Sequence, residues 1–144
     1  MVLSWIILER LFGLHDEHID QHAIYTNLVV IPAILVYVFA LLDKRKTDLG
    51  GYMKYTEALK SGIILSAIVT VLTPLTQYLS TSIITPDYFN SIIDYSVSTK
   101  QMTQEEAEAY FTTKNYMVQS NIFTPIMGTL STAVVGLFTK KSPT

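Results

Sequence analysis

Residues 23–42 read AIYTNLVVIPAILVYVFALL, twenty positions without a charge, and Asp43-Lys44-Arg45-Lys46 follows at once. A helix rises about 1.5 Å per residue, so such a stretch matches the roughly 30 Å hydrocarbon layer of a bilayer. A basic run directly behind an apolar span marks its cytoplasmic end. The stretch therefore predicts a transmembrane helix, and the orientation of the rest of the chain is measured from it.

Upstream, residues 1–14 are apolar except for Ser4, Glu9 and Arg10. As a helix they reach only about 21 Å, so they are expected to be either a truncated first membrane helix or an interfacial amphipathic piece. Gly13 ends that pattern, and the polar link 15–22 holds all three histidines of the protein. Lying opposite the basic end, this link is expected outside the cytoplasm.

Downstream, Leu49-Gly50-Gly51 is a turn signal, and a third apolar stretch, 61–85, is stopped by Pro86-Asp87, because proline cannot continue a helical ladder. Residues 86–115 then read as an extracytoplasmic helical hairpin. Tyr88, Phe89, Ile92, Ile93 and Val97 fall near one face of its first helix, and Thr103 with Glu106 has capping-box spacing at the start of its second. No glycine or proline separates that second helix from the last apolar run, so one long helix is expected through the final span, 116–139. Lys140 and Lys141 close the span on the cytoplasmic side.

Charge follows the same topology. Seven of the ten basic residues lie in 43–60 or at Lys140 and Lys141, whereas 86–114 carries five acids against Lys100 and Lys114. With 49% hydrophobic and 15% charged residues the chain is too apolar for an ordinary soluble domain. Its segregated charge gives no continuous basic surface for nucleic acid. Absence of cysteine removes disulfides, thiolate metal sites and thiol nucleophiles. The reading is an all-α integral membrane helical bundle, a single membrane domain over 1–144 with three full spans and a short N-terminal helix in a four-helix arrangement.

Four constellations stand out. If the polar link is helical, His15, His18 and His22 fall within about 60° of one another, and such a triple can hold zinc or copper; otherwise the histidines are a solvated loop. Ser66, Thr70, Thr73 and Gln77 form a polar stripe along the third apolar stretch, either for packing between helices or lining a cavity. Pro32, Pro74 and Pro125 sit at similar depth, about 13–17 Å below the outer ends of their helices. With Asn27, Thr70, Thr73, Gln77 and Asn121 they outline a possible outward-facing polar pocket, against the plainer reading of kinked helices satisfied by neighbours. Finally, Thr124, Gly128, Thr132 and Gly136 recur every four residues, a small-residue ridge for close approach of another helix, in this chain or in another subunit.

The 23–42, 61–85 and 116–139 runs hold no charge, which disfavours ion-coupled transport. No glycine-rich phosphate loop, histidine–glutamate metalloprotease motif or glycine-flanked serine nucleophile is present, so no enzymatic activity is expected.

Gly13-Leu14-His15-Asp16-Glu17, Thr26-Asn27, Asp43-Lys44-Arg45, the 55–62 stretch, Pro86-Asp87-Tyr88-Phe89 and Met127-Gly128 together resemble the bacterial membrane family called domain of unknown function 4199. The resemblance covers nearly the whole chain and implies a small four-helix protein of a bacterial inner membrane, without an assigned activity. The expected function is a noncatalytic component of an envelope assembly, bound to the lipid bilayer and to a membrane-protein partner or further copies of itself. The alternatives are a transporter-like protein binding a small solute or lipid, and an envelope metal-binding protein. No cofactor is expected beyond zinc or copper at the histidines.

Overall fold

The computed structural model describes residues 1–142 and is all-α. Its helices are α1 (Val2–Leu11), α2 (Ile19–Tyr25), α3 (Val30–Thr47), α4 (Tyr55–Leu79), α5 (Tyr88–Ser98), α6 (Gln104–Tyr110) and α7 (Thr113–Thr139). A 3-10 turn, Thr26–Val29, joins α2 to α3, and a π-helical turn, Ser80–Ile84, extends α4. Among the described residues, three stretches are long and apolar enough to cross a membrane: Ile19–Thr47, Tyr55–Ile84 and Thr113–Thr139. Only 11%, 22% and 28% of their most apolar windows are buried inside the protein. Helices this apolar and this little covered suit lipid rather than water, and the chain is a membrane protein on that ground.

Local chemistry explains the interruptions. Pro32 lacks an N–H and its ring crowds the carbonyl of Leu28, which lies in the 3-10 turn, so the first span is α-helical only on either side. Pro74 and Pro125 lie inside α4 and α7 without ending them. Thr103 and Glu106 form the reciprocal capping box that starts α6. The backbone N–H and hydroxyl of Thr103 hold the Glu106 carboxyl below the usual carboxylate range.

The chain does not continue straight from α6 into α7, as the lack of glycine and proline suggested. It breaks at Phe111 and Thr112. The Thr112 hydroxyl accepts from the Asn115 N–H at 3.2 Å, and the Asn115 amide donates to the Ala109 and Tyr110 carbonyls at 2.8 and 3.0 Å. Both loose helix ends are thereby satisfied without either breaker residue.

The fold groups into two compact units. One comprises Met1–Val29 with Thr73–Ser120, the other Val30–Leu72 with the chain from Asn121 on. In the second, Tyr37, Leu41, Met53, Ala58 and Val135 form the apolar core. Here α4 and α7 meet through small residues: a Cβ on Gly62 would stand 2.7 Å from that of Thr132, one on Gly128 2.8 Å from that of Ser66, and one on Gly136 3.3 Å from that of Ala58. Ser66 is 2% exposed and shares a 2.7 Å hydrogen bond with the Tyr37 hydroxyl. The basic end of the unit is closed by chain pairing. Met53 and Lys141 exchange two 2.9 Å backbone hydrogen bonds, and Arg45 donates to the Thr139 carbonyl at 2.8 Å, so Arg45 and Lys141 share one end.

Candidate functional site

In the first unit the chain end of α1 decides the geometry. Gly13 has φ +69°, the left-handed conformation that a glycine adopts without steric penalty. The Gly13 N–H donates to the Arg10 carbonyl and the Leu14 N–H to the Glu9 carbonyl, each at 3.0 Å. This is the Schellman pattern, which caps the last turn and reverses the chain. The reversal brings His15 back to Glu9, one turn up α1, where Nε2 lies 3.4 Å from Oε2.

Glu9 and His15 are 4% and 5% exposed. The Trp5 indole N–H donates to Glu9 Oε1 at 2.7 Å, leaving Oε2 on the His15 side. From α2, the half-buried His22 completes the group, its ring centroid 5.1 Å from that of His15. One donor atom from each of Glu9, His15 and His22 lies within 4.8 Å of the other two. Nδ1 of His15 is buried without a hydrogen-bond partner.

Tyr88, the first residue of α5, walls the group: its ring is 5.2 Å from each of the His15 and His22 rings. Burial pushes its phenol well above the ordinary tyrosine range, so it stays neutral. Its hydroxyl shares a 3.3 Å hydrogen bond with that of Tyr116, and Phe89 packs edge-on to Tyr116. Arg10, next to Glu9, points elsewhere and donates to the Ile84 carbonyl at the end of the π-helical turn. Beside His15 is a hollow of about 20 Å³ lined by Arg10, His15, Asp16, Asp87 and Tyr88 among others, room for one water-sized particle.

A family model described as "Protein of unknown function (DUF4199)" matches residues 1–141. The chain belongs to the DUF4199 family. No curated protein and no solved structure matches it.

Of the three histidines that a helical link would align, this DUF4199 member brings together His15 and His22. His18 is exposed at the N-cap of α2, because 12–18 is a series of turns and not the helix that would align all three. Glu9 takes the third place. The spacing of the histidines gives no hint of it, although a carboxylate four residues ahead of a glycine helix stop is a usable signal.

The other candidates fall in both units. Asn27, Thr73 and Gln77 belong to the first unit, Thr70 and Asn121 to the second. Asn27 is exposed, with its amide on the Ala23 carbonyl, and the Thr70 hydroxyl bonds back to the Ser66 carbonyl at 2.8 Å. Gln77 Oε1 receives the Ser120 hydroxyl at 3.5 Å. The hollow beside His15 and the shallower one bounded by Gln101, Met102, Glu106 and Tyr110 are both lined by other residues. Along the ridge, Thr124 is half-buried, while Gly128, Thr132 and Gly136 are buried against α4 of the same chain.

Proposed function

We propose that this DUF4199 protein is a noncatalytic, multi-pass protein of a bacterial inner membrane that binds a small ligand at Glu9, His15 and His22. The observation that carries the reading is a buried carboxylate from α1 gathered with two imidazoles, one from the turns that follow it and one from α2, with one imidazole nitrogen unpartnered. Burying such groups is costly unless something pairs with them, so their burial together supports a bound partner. An assembly role has less support, since the ridge that suggested it is filled by Gly62, Ser66 and Ala58 from within.

Native mass spectrometry on protein extracted gently from its own membrane tests the reading. A retained non-protein mass, lost in a His22→Ala variant, is the expected result. A bare chain would overturn it, and a stoichiometric second protein on a bare chain would restore the envelope-assembly reading.

In the proposed orientation the site lies on the extracytoplasmic side and the C-terminus in the cytoplasm. The shared basic end of Arg45 and Lys141 and the acidic excess around α5 and α6 support this. Because the chain has no cysteine, one introduced at the exposed Ser98 is a clean reporter. It should react with an impermeant thiol reagent in intact cells; reaction only after lysis would invert the topology.

A further inference from the structure

We infer that the ligand of the Glu9, His15 and His22 site is a zinc-class divalent cation; this rests on the binding reading above and names its chemistry. Two imidazoles and one carboxylate form a donor set that suits zinc, whereas calcium and magnesium take oxygen ligands. Distance supports the match. Donors at about 2.0–2.1 Å from a tetrahedral zinc stand about 3.3–3.4 Å apart, and His15 Nε2 to Glu9 Oε2 is 3.4 Å. The same separation is long for an N–H···O hydrogen bond, whose usual range ends near 3.2 Å. The remaining donor separations reach at most 4.8 Å, so side-chain closure of about 1.4 Å completes a three-ligand site.

Charge and surroundings agree. Among the described residues no lysine or arginine forms an ion pair with the buried Glu9 carboxylate. A bound dication supplies the missing positive charge between Glu9 Oε2 and His15 Nε2. The Trp5 indole orients Glu9 through its other oxygen, as supporting groups around metal ligands do. Tyr88 provides an apolar wall, and the water-sized hollow lined by Arg10, Asp16 and Asp87 opens beside His15. Three protein ligands leave a fourth zinc position for water.

The test uses full-length protein in detergent micelles, stripped with a chelator and titrated with zinc alone, with calcium and magnesium as controls. One zinc per chain is expected, with an X-ray absorption spectrum showing nitrogen and oxygen neighbours and the signature of two imidazoles. His22→Ala and Glu9→Gln should each weaken binding by at least about tenfold, while His18→Ala leaves it unchanged. His22 is only half-buried, so its variant is the safer of the two for folding, and the absorption spectrum of the unmodified protein needs no variant. Failure of the unmodified protein to bind zinc overturns the inference, as does binding that survives both substitutions or is lost in His18→Ala. If native mass spectrometry finds an organic mass that His22→Ala removes while zinc does not bind, the site stands and the metal falls.

Discussion

A Gly128→Leu protein will lose its close α4–α7 contact and will be markedly less stable in detergent micelles than the unmodified protein. Even a methyl at this position would press on the Ser66 side chain, with its Cβ 2.8 Å from that of Ser66, and on the Tyr37 hydroxyl. Neither neighbour can simply turn away. Ser66 is 2% exposed and Tyr37 9%, and they are hydrogen-bonded to each other in the middle of the core. Overpacking a well-filled interior costs about 1–3 kcal/mol, and leucine adds both that strain and the loss of the Tyr37–Ser66 hydrogen bond, about 0.6 kcal/mol within a membrane. Reversible unfolding in mixed detergent micelles measures the effect. A substitution at Leu130, 56% exposed on the same helix, is the control and should change little. Wild-type stability in Gly128→Leu would mean that α4 and α7 do not touch there. The Gly62→Ala variant offers a relief test, because its new Cβ meets Thr132 at 2.7 Å. Adding Thr132→Gly should recover most of the loss.

The second large effect is expected at Gly13, and it acts through backbone conformation alone. A Cβ there would meet nothing nearer than Glu17 at 3.8 Å, so there is room for a side chain. The φ of +69° is what an ordinary residue resists, by about 1–2 kcal/mol, and a β-branched one resists it most. Gly13→Val should therefore lower stability by about 2 kcal/mol. It should also weaken ligand retention, because releasing the left-handed cap lets His15 swing away from Glu9. Gly13→Asn should keep most of both, since asparagine visits this conformation readily. Unfolding midpoints and zinc titration of the two variants give the comparison. Equal behaviour of Val and Asn would show that the cap does not position His15.

Each of these effects has a root that is half legible in the linear chain. The four-residue recurrence of Gly128, Thr132 and Gly136 announces a close helix contact, because side chains four apart share a helix face. It does not say what fills the contact. Likewise Gly13 announces the end of α1, but a helical histidine link would align His18 with its neighbours and leave Glu9 out. A turn of this kind moves the next residues by a large angle for one change of φ, so periodicity is no guide across it. The break between α6 and α7 belongs to the same class. It depends on Thr112 and Asn115 satisfying backbone groups, a local signal weaker than glycine or proline.

What the sequence determined by itself was everything set by hydropathy, period and local capping: three helices of spanning length, a charge-segregated pair of ends, the capping box at Thr103 and Glu106, and an all-α chain. These are properties of consecutive residues, each decided by the solvent it meets and by the 3.6-residue turn. Tertiary structure alone decided that the small-residue ridge is matched by Gly62, Ser66 and Ala58, and that Glu9 joins His15 and His22 while His18 faces outward. Those pairings join separate segments. They follow from where caps and turns send the chain and from which side chains fit when helix faces meet, which no repeat within one segment encodes.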